Sequence, residues 1–241
     1  MMNKSYMLKV ATIAGIPIKI HLSFSLTLLL IGGLIYKHRL DVTASIFLSL
    51  FIVILFVLVI MHEFGHALMA RRFHIKTKDI IITPIGGIAR LEAMPKKPSQ
   101  ELLVAFAGPL VNMVFALIFF GVLYAMDAED FILRDKESIE MLTDPIGFLF
   151  TVAVMNAMLF LFNLIPAYPM DGGRILRSLL SMIMSQNKAT IVAANVGRVL
   201  AIGFIIFGAY NKMFTLLFIG IFVYVVATKE YQMAKLHMLE R

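Results

Sequence analysis

Apolar residues run almost unbroken through six stretches of the chain, at about residues 20–36, 43–70, 102–126, 145–165, 190–210 and 213–228, with polar residues collected between them. About 20 helical residues cross the ~30 Å hydrocarbon layer of a bilayer. The pattern therefore predicts six membrane-spanning helices, the first and last short enough to tilt or to be completed by flanking residues. Between the second and third runs, the stretch DIIITPIGGIARLE breaks the pattern with a β-branched run, a Gly-Gly pair and an alternating apolar segment. It reads as a short hairpin beside or within the membrane surface. Non-helical backbone is tolerated at membrane depth only where protein or water satisfies it, so a hairpin here implies a function or a cavity. Near-identical repeats, low-complexity tracts and Pro/Ser-rich linkers are absent, so residues 1–241 read as a single transmembrane domain. The expected fold class is an all-α polytopic membrane protein of about six transmembrane helices with a small membrane-associated β-hairpin.

Composition hardens this reading. Apolar residues make up 60% of the chain and charged ones 15%, against about 25% charged in a soluble domain, so a soluble core would lack its polar coat. With no cysteine among 241 residues, disulfide scaffolds, thiolate zinc sites and cysteine nucleophiles are excluded. Any metal must be held by His, Asp or Glu. A net charge of +7 would suggest nucleic acid in a soluble protein, but in a membrane protein Lys and Arg gather on cytoplasmic loops, and no nucleic-acid partner is expected. Six spans place both termini on one side. Sixteen Lys and Arg fall there, in the N-terminal segment, the 71–101 and 171–189 loops and the C-terminal segment, against five on the opposite side. Both termini are thus expected in the cytoplasm, with the protein in the cell membrane and the acidic loop DAEDFILRDKESIEMLTD facing outward. The first apolar run ends in GGLIYKHRL without a small-residue cleavage site, so it is expected to be a retained helix and not a signal peptide.

Late in the second run stands His62-Glu63-Phe64-Gly65-His66. Helical positions four apart share a face, so His62 and His66 can present two imidazoles to one zinc ion, with Glu63 in reach of a water there. Ionisable groups in an apolar span are costly and functional by default; a purely structural explanation would have to neutralise Glu63 without using it. Arg71 and Arg72 mark the cytoplasmic interface. His62 stands nine residues earlier, roughly 13 Å inside along a straight helix. A catalytic zinc usually takes three protein ligands and keeps one open position. His21, His38, His74 and His237 read as solvated or interfacial. Asp171 differs, because it follows the fourth run in NLIPAYPMDGGR, where two prolines break the helix and two glycines let backbone approach closely. The competing reading makes Asp171 the N-cap of the next helix, and both roles are compatible. Arg198, in the fifth run, reads either as part of a polar channel or, better, as snorkelling to the cytoplasmic face.

HEFGH near the cytoplasmic end of a helix, AGPLVN in the third run and NLIPAYPMDGGRIL after the fourth resemble the site-2 protease family of intramembrane zinc metalloproteases, in the six-span archaeal and bacterial type that includes the sporulation protease acting on a pro-sigma factor. The resemblance extends from GIPIKIHLSF to the last run. It implies one zinc ion per chain on His62, His66 and Asp171, with Glu63 as the general base. It implies substrate binding or oxyanion stabilisation at Asn163, with Pro166 and Pro169 shaping the approach to Asp171. Gly108 and Asn112 match a motif that packs near the active site, a role that coincides with a close helix crossing carrying a hydrogen-bonding Asn. Gly86 and Gly87 fall in the segment matching the hairpin that pairs with an unwound substrate strand. Strand addition has a physical basis, since an unwound segment must satisfy its freed backbone groups; proline along Ile80–Ile82 is expected to abolish cleavage and spare zinc.

The implied partners are the lipid bilayer, a transmembrane or membrane-proximal protein substrate and a regulatory membrane protein. The implied substrate classes are transcription-factor precursors, anti-sigma factors and remnant signal peptides, as in regulated intramembrane proteolysis. The PDZ or CBS domains of many relatives are not expected here. Two other readings compete: a zinc protease for soluble or interfacial peptides, disfavoured by the NxxPxPxDG segment, and a membrane metal transporter or non-proteolytic metal-binding membrane protein, disfavoured by the lack of paired inverted repeats.

Overall fold

The structure, a computed structural model, describes residues 6–84, 86–128 and 138–239, the side chains of 138–140 excepted. Half of the acidic 127–144 loop, residues 129–137 with Arg134 and Lys136, lies outside the described residues. In chain order the elements are β1 (Met7–Ile13), β2 (Ile16–His21), a 3-10 turn (Leu22–Phe24), α1 (Ser25–His38), α2 (Val42–Arg72), β3 (Thr77–Thr83), β4 (Gly86–Leu91), α3 (Pro98–Ala125), α4 (Ser138–Thr143), α5 (Pro145–Asn163), α6 (Asp171–Leu180), α7 (Gln186–Tyr210) and α8 (Phe214–Leu239). Among the described residues, α2, α3, α5, α7 and α8 are long and apolar enough to cross a membrane, which makes the chain a multi-pass membrane protein. The first expected span is shorter, a single apolar helix over Leu22–His38. Leu28, Leu29, Val53, Leu117, Ile206 and Phe218 are exposed on these helices, a surface suited to lipid and not to water. Contacts divide the chain into two compact units, residues 1–93 with 110–160, and 94–109 with 161–241.

In the first unit the segment expected to form a lone hairpin supplies β3 and β4 of a four-stranded mixed sheet in the order β1-β2-β3-β4. β1 pairs antiparallel with β2, β2 parallel with β3, and β3 antiparallel with β4. The N-terminal strands are not expected from the apolar pattern, in which their lysines read as loop charges. Their signal was present: apolar alternation on either side of an Ala14-Gly15 turn whose residues both take positive φ, 50° and 79°, as a tight hairpin requires. Ile16 and Ile18 on β2 and Ile80 and Ile82 on β3 pack with Phe64 and Ala67 of α2, so the sheet seats on the helix that carries the HExxH segment. Arg71 Nη2 fastens the end of that helix to the β1–β2 turn through Ala14 O at 2.5 Å.

This topology corrects the expectation for Ile80–Ile82. These residues are almost fully buried, and β3 is paired on both sides, to β2 and to β4. It offers no edge to an added strand; the unpaired edge next to α2 belongs to β4. Asp79 on β3 is 1% exposed and binds three donors, Arg90 Nε and Nη2 at 2.6 Å each and Lys19 Nζ at 2.6 Å. The Arg90 guanidinium, helped by Lys19, holds the carboxyl below its usual 3.8 against the opposing effect of burial. A depressed carboxylate contributes stability that is complete above its unfolded value and disappears as pH falls through the folded one. Asp79→Asn should therefore lower stability near neutral pH by about 1–3 kcal/mol, since Lys19 and Arg90 can rehydrate, and the difference from wild type should close below about pH 4. Thermal melts at several pH values read this directly.

In the second unit, small residues let helices meet at backbone distance. Ala193, Gly197 and Ala201 of α7 are buried four residues apart, facing Gly220 and Ala227 of α8, the small-residue packing that apolar helices use when no hydrophobic driving force separates them from lipid. The loop from Leu164 to Met170 folds back beneath α6. A Cβ at Gly172 would collide with the carbonyl oxygens of Leu164 and Ile165, and one at Gly173 would lie 2.8 Å from Ala167 C and Tyr168 N. The two glycines are thus needed for close backbone approach, as expected. Gly172→Val should dislodge the start of α6, measured as lost zinc retention together with a lowered melting temperature. Farther along α6, Arg177 is tied to Glu101 at the start of α3, with Nε–Oε1 at 2.9 Å and a second bond from Nη2.

Candidate metal centre

α2 runs unbroken through residues 62–66, so His62 and His66 stand one turn apart on one side of the helix, 6% and 8% exposed. Their Nε2 atoms are 3.1 Å apart and their rings cross at 79°. Two nitrogens at ~2.05 Å from one tetrahedral zinc would be about 3.3 Å apart, so the imidazoles already converge as a ligand pair. Glu63 points to the adjacent face. Its Oε2 accepts a hydrogen bond from Ala89 N of β4 at 2.7 Å. Gly87 on the same strand has no side chain to spare room for: a Cβ there would lie 2.7 Å from Glu63 Cγ and 3.0 Å from Val59 Cγ1.

Asp171 is the first residue of α6, and Met170 is the N-cap, with extended backbone and no side-chain capping bond. The N-cap reading of Asp171 is therefore corrected by one position: the carboxylate stands just inside the positive end of the helix, where negative charge is favoured. One ligand atom each from His62, His66 and Asp171 lie within 4.8 Å of one another. Two imidazole nitrogens and one carboxylate oxygen are the N/O set that zinc accepts, and three protein donors leave a fourth position open. The cluster can coordinate one zinc ion per chain.

The remaining residues fall as follows. Asn163 ends α5, Pro166 and Pro169 are exposed in the loop before α6, and Gly86 opens β4 at φ 140°. Gly108 is buried in α3. Asn112 is 1% exposed, and among the described residues neither side-chain polar atom has a hydrogen-bond partner, so the hydrogen-bonded helix crossing expected for it is not seen. His21 is occupied locally, its Nδ1 2.7 Å from Ser23 Oγ. The Arg198 guanidinium lies 5.4 Å from the ring centres of both Tyr224 and Tyr231 on α8. Burial pushes the Tyr168 hydroxyl up to about 12, so it stays neutral. Ala89 and Val59 were missed by sequence reasoning because one acts through its backbone and the other through proximity; the alternation of small residues at Gly87 and Ala89 was the available signal.

Residues 50–142 and 132–207 match the family described as peptidase family M50. The chain is 35% identical over 226 residues to a zinc metalloprotease of Methanocaldococcus jannaschii, covering 94% of this chain and 61% of that protein. It is 29% identical over 136 residues to stage IV sporulation protein FB of Bacillus subtilis, covering 56% of this chain and 42% of that one. It thus spans less than two thirds of the length of either relative. The solved structure of the site-2 protease from Methanocaldococcus jannaschii superposes with a TM-score of 0.64 at 35% identity, covering 94% of this chain and 95% of that one.

Proposed function

Because the chain belongs to peptidase family M50, we propose that it is an intramembrane zinc endopeptidase that cuts a peptide bond in or near a transmembrane segment of a membrane protein. The observation that carries this reading is the convergence of His62, His66 and Asp171, with two of the three donors on a 31-residue apolar helix. Zinc, when bound, supplies Lewis acidity, polarising a peptide carbonyl and making water acidic near neutral pH. Glu63 accepts the proton that water releases as its oxygen adds to the scissile carbon, and returns it to the amine nitrogen as the C–N bond breaks. Asn163 is proposed to steady the oxyanion, and the loop carrying Pro166 and Pro169 to shape the approach to Asp171.

The strand pairing supports the finer topology. β2 and β3 lie side by side, yet Leu22–His38 and α2 stand between them in sequence. The chain must leave the sheet through the short helix and return to it through α2, which favours six crossings with the N-terminal strands and the β3–β4 hairpin on one side. The lysines and arginines of those segments make that side the cytoplasm. An unwound substrate strand would then meet the edge of β4 that the sheet leaves unpaired, beside the Ala89 amide that Glu63 engages.

The test is a pull-down from native membranes with a Glu63→Gln trap, followed by incubation of the recovered proteins with wild-type enzyme, with and without a zinc chelator. Cleavage that chelation stops and added zinc restores is expected. If wild type cuts nothing that the trap recovers and chelation changes nothing, the protease reading fails.

A further inference from the structure

Resting on the protease reading above, we propose that the backbone amide of Ala89 is a positioning group for Glu63, so that β4 fixes where the base holds its carboxylate. The N–H donates to Glu63 Oε2 at 2.7 Å, a charge-assisted bond that leaves Oε1 to take a proton. Ala89 faces Ile80 across the β3–β4 ladder. Backbone amides in such a ladder alternate between the partner strand and the open side, and an amide spent on Glu63 belongs to the open side.

Three further features fit a donor built for this purpose. Gly87, two residues earlier on the same face, is the position at which any side chain would strike Glu63 Cγ and Val59 Cγ1, so small residues at 87 and 89 let the strand's backbone reach the helix. Ala89 itself packs against the buried cluster that contains Phe64 and Ala67. The next residue, Arg90, is bolted to buried Asp79 through two bonds of 2.6 Å, and the other end of the hairpin is closed by Thr83 Oγ1 donating to Gly86 O at 2.9 Å. The amide is therefore fixed from both sides, while a Glu side chain left to itself samples many rotamers.

Ala89→Pro removes this donor and no ladder bond, and an edge strand admits proline at an amide that faces away from its partner. With a quenched fluorescent reporter peptide of about 20 apolar residues in proteoliposomes, kcat should fall about 10- to 100-fold, with KM within about twofold and zinc content unchanged. Gly87→Ala, which displaces Glu63 and keeps the amide, should lower kcat in the same way. A rise in KM at constant kcat would overturn the proposal, because the amide would then serve substrate; so would an unchanged or increased kcat. Independently of activity, hydrogen exchange at the Ala89 amide should accelerate at least about tenfold in Glu63→Ala, with the Ile88 amide on the ladder side unaffected. Equal exchange in wild type and variant would also overturn it. If wild type cleaves no reporter, the protease reading itself fails; a cleaving wild type with an Ala89→Pro variant of equal kcat removes only the positioning role.

Discussion

Glu63→Gln should reduce proteolysis about 10²- to 10⁴-fold, the usual worth of a positioned general base, while zinc stays near one ion per chain. The substitution keeps the size of the side chain and leaves an amide oxygen that can still accept the Ala89 N–H now bonded to Oε2 at 2.7 Å. What disappears is the capacity to take a proton. Because Glu63 is not one of the three clustered donors, metal retention and turnover should separate cleanly. Measuring both on one preparation, by metal analysis after desalting and by reporter cleavage, is decisive: turnover above about a tenth of wild type with zinc bound would assign the proton transfer elsewhere. A joint loss of zinc and activity would instead make Glu63 part of the metal's support.

The elements that announced themselves in the sequence did so for reasons that survive without tertiary context. A run such as residues 43–70 is apolar on every side and long enough to be a helix on its own account, and α2, Val42–Arg72, occupies it with one added residue at the start and two at the end. HExxH is legible because both histidines sit on one regular helix, so their spacing fixes their separation in space. Asp171 is more than a hundred residues away in sequence, and only the broken, glycine-rich segment around it marked it. Elements whose identity depends on pairing were harder to read. β1 and β2 carry the alternation of strands, yet they become half of a sheet only because β3 supplies the parallel partner for Ile18 to Ile20, a contact about sixty residues distant. The same pairing moved the available edge from β3 to β4, which no local pattern at Ile80–Ile82 could reveal. Backbone donors are invisible to motif reading altogether, since the Ala89 amide would be present whatever residue stood there.

Asp171→Ala should abolish stoichiometric zinc binding and, with it, cleavage. Removing one of three protein donors should weaken the site by more than the ~10- to 100-fold that loss of an outer-shell partner typically costs. The effect must be separated from damage to α6, because Asp171 opens that helix and a carboxylate there contributes about 0.3–1 kcal/mol through the helix dipole. Asp171→Asn retains the side-chain shape and a neutral oxygen but removes the charge that favours both the helix start and the metal, so the separation must come from the zinc dependence of stability. Thermal melts with and without zinc then distinguish the causes. A ligand at 1,000 times its Kd stabilises the folded state by about 4 kcal/mol, so wild type should melt higher when zinc is added, whereas Asp171→Ala should show no zinc-dependent shift. A dipole effect alone would lower both melts of the variant by the same small amount and leave the zinc increment intact. That result, or wild-type zinc affinity in Asp171→Ala, would remove Asp171 from the metal centre. It would leave His62 and His66, whose Nε2 atoms are 3.1 Å apart, to find their third partner elsewhere.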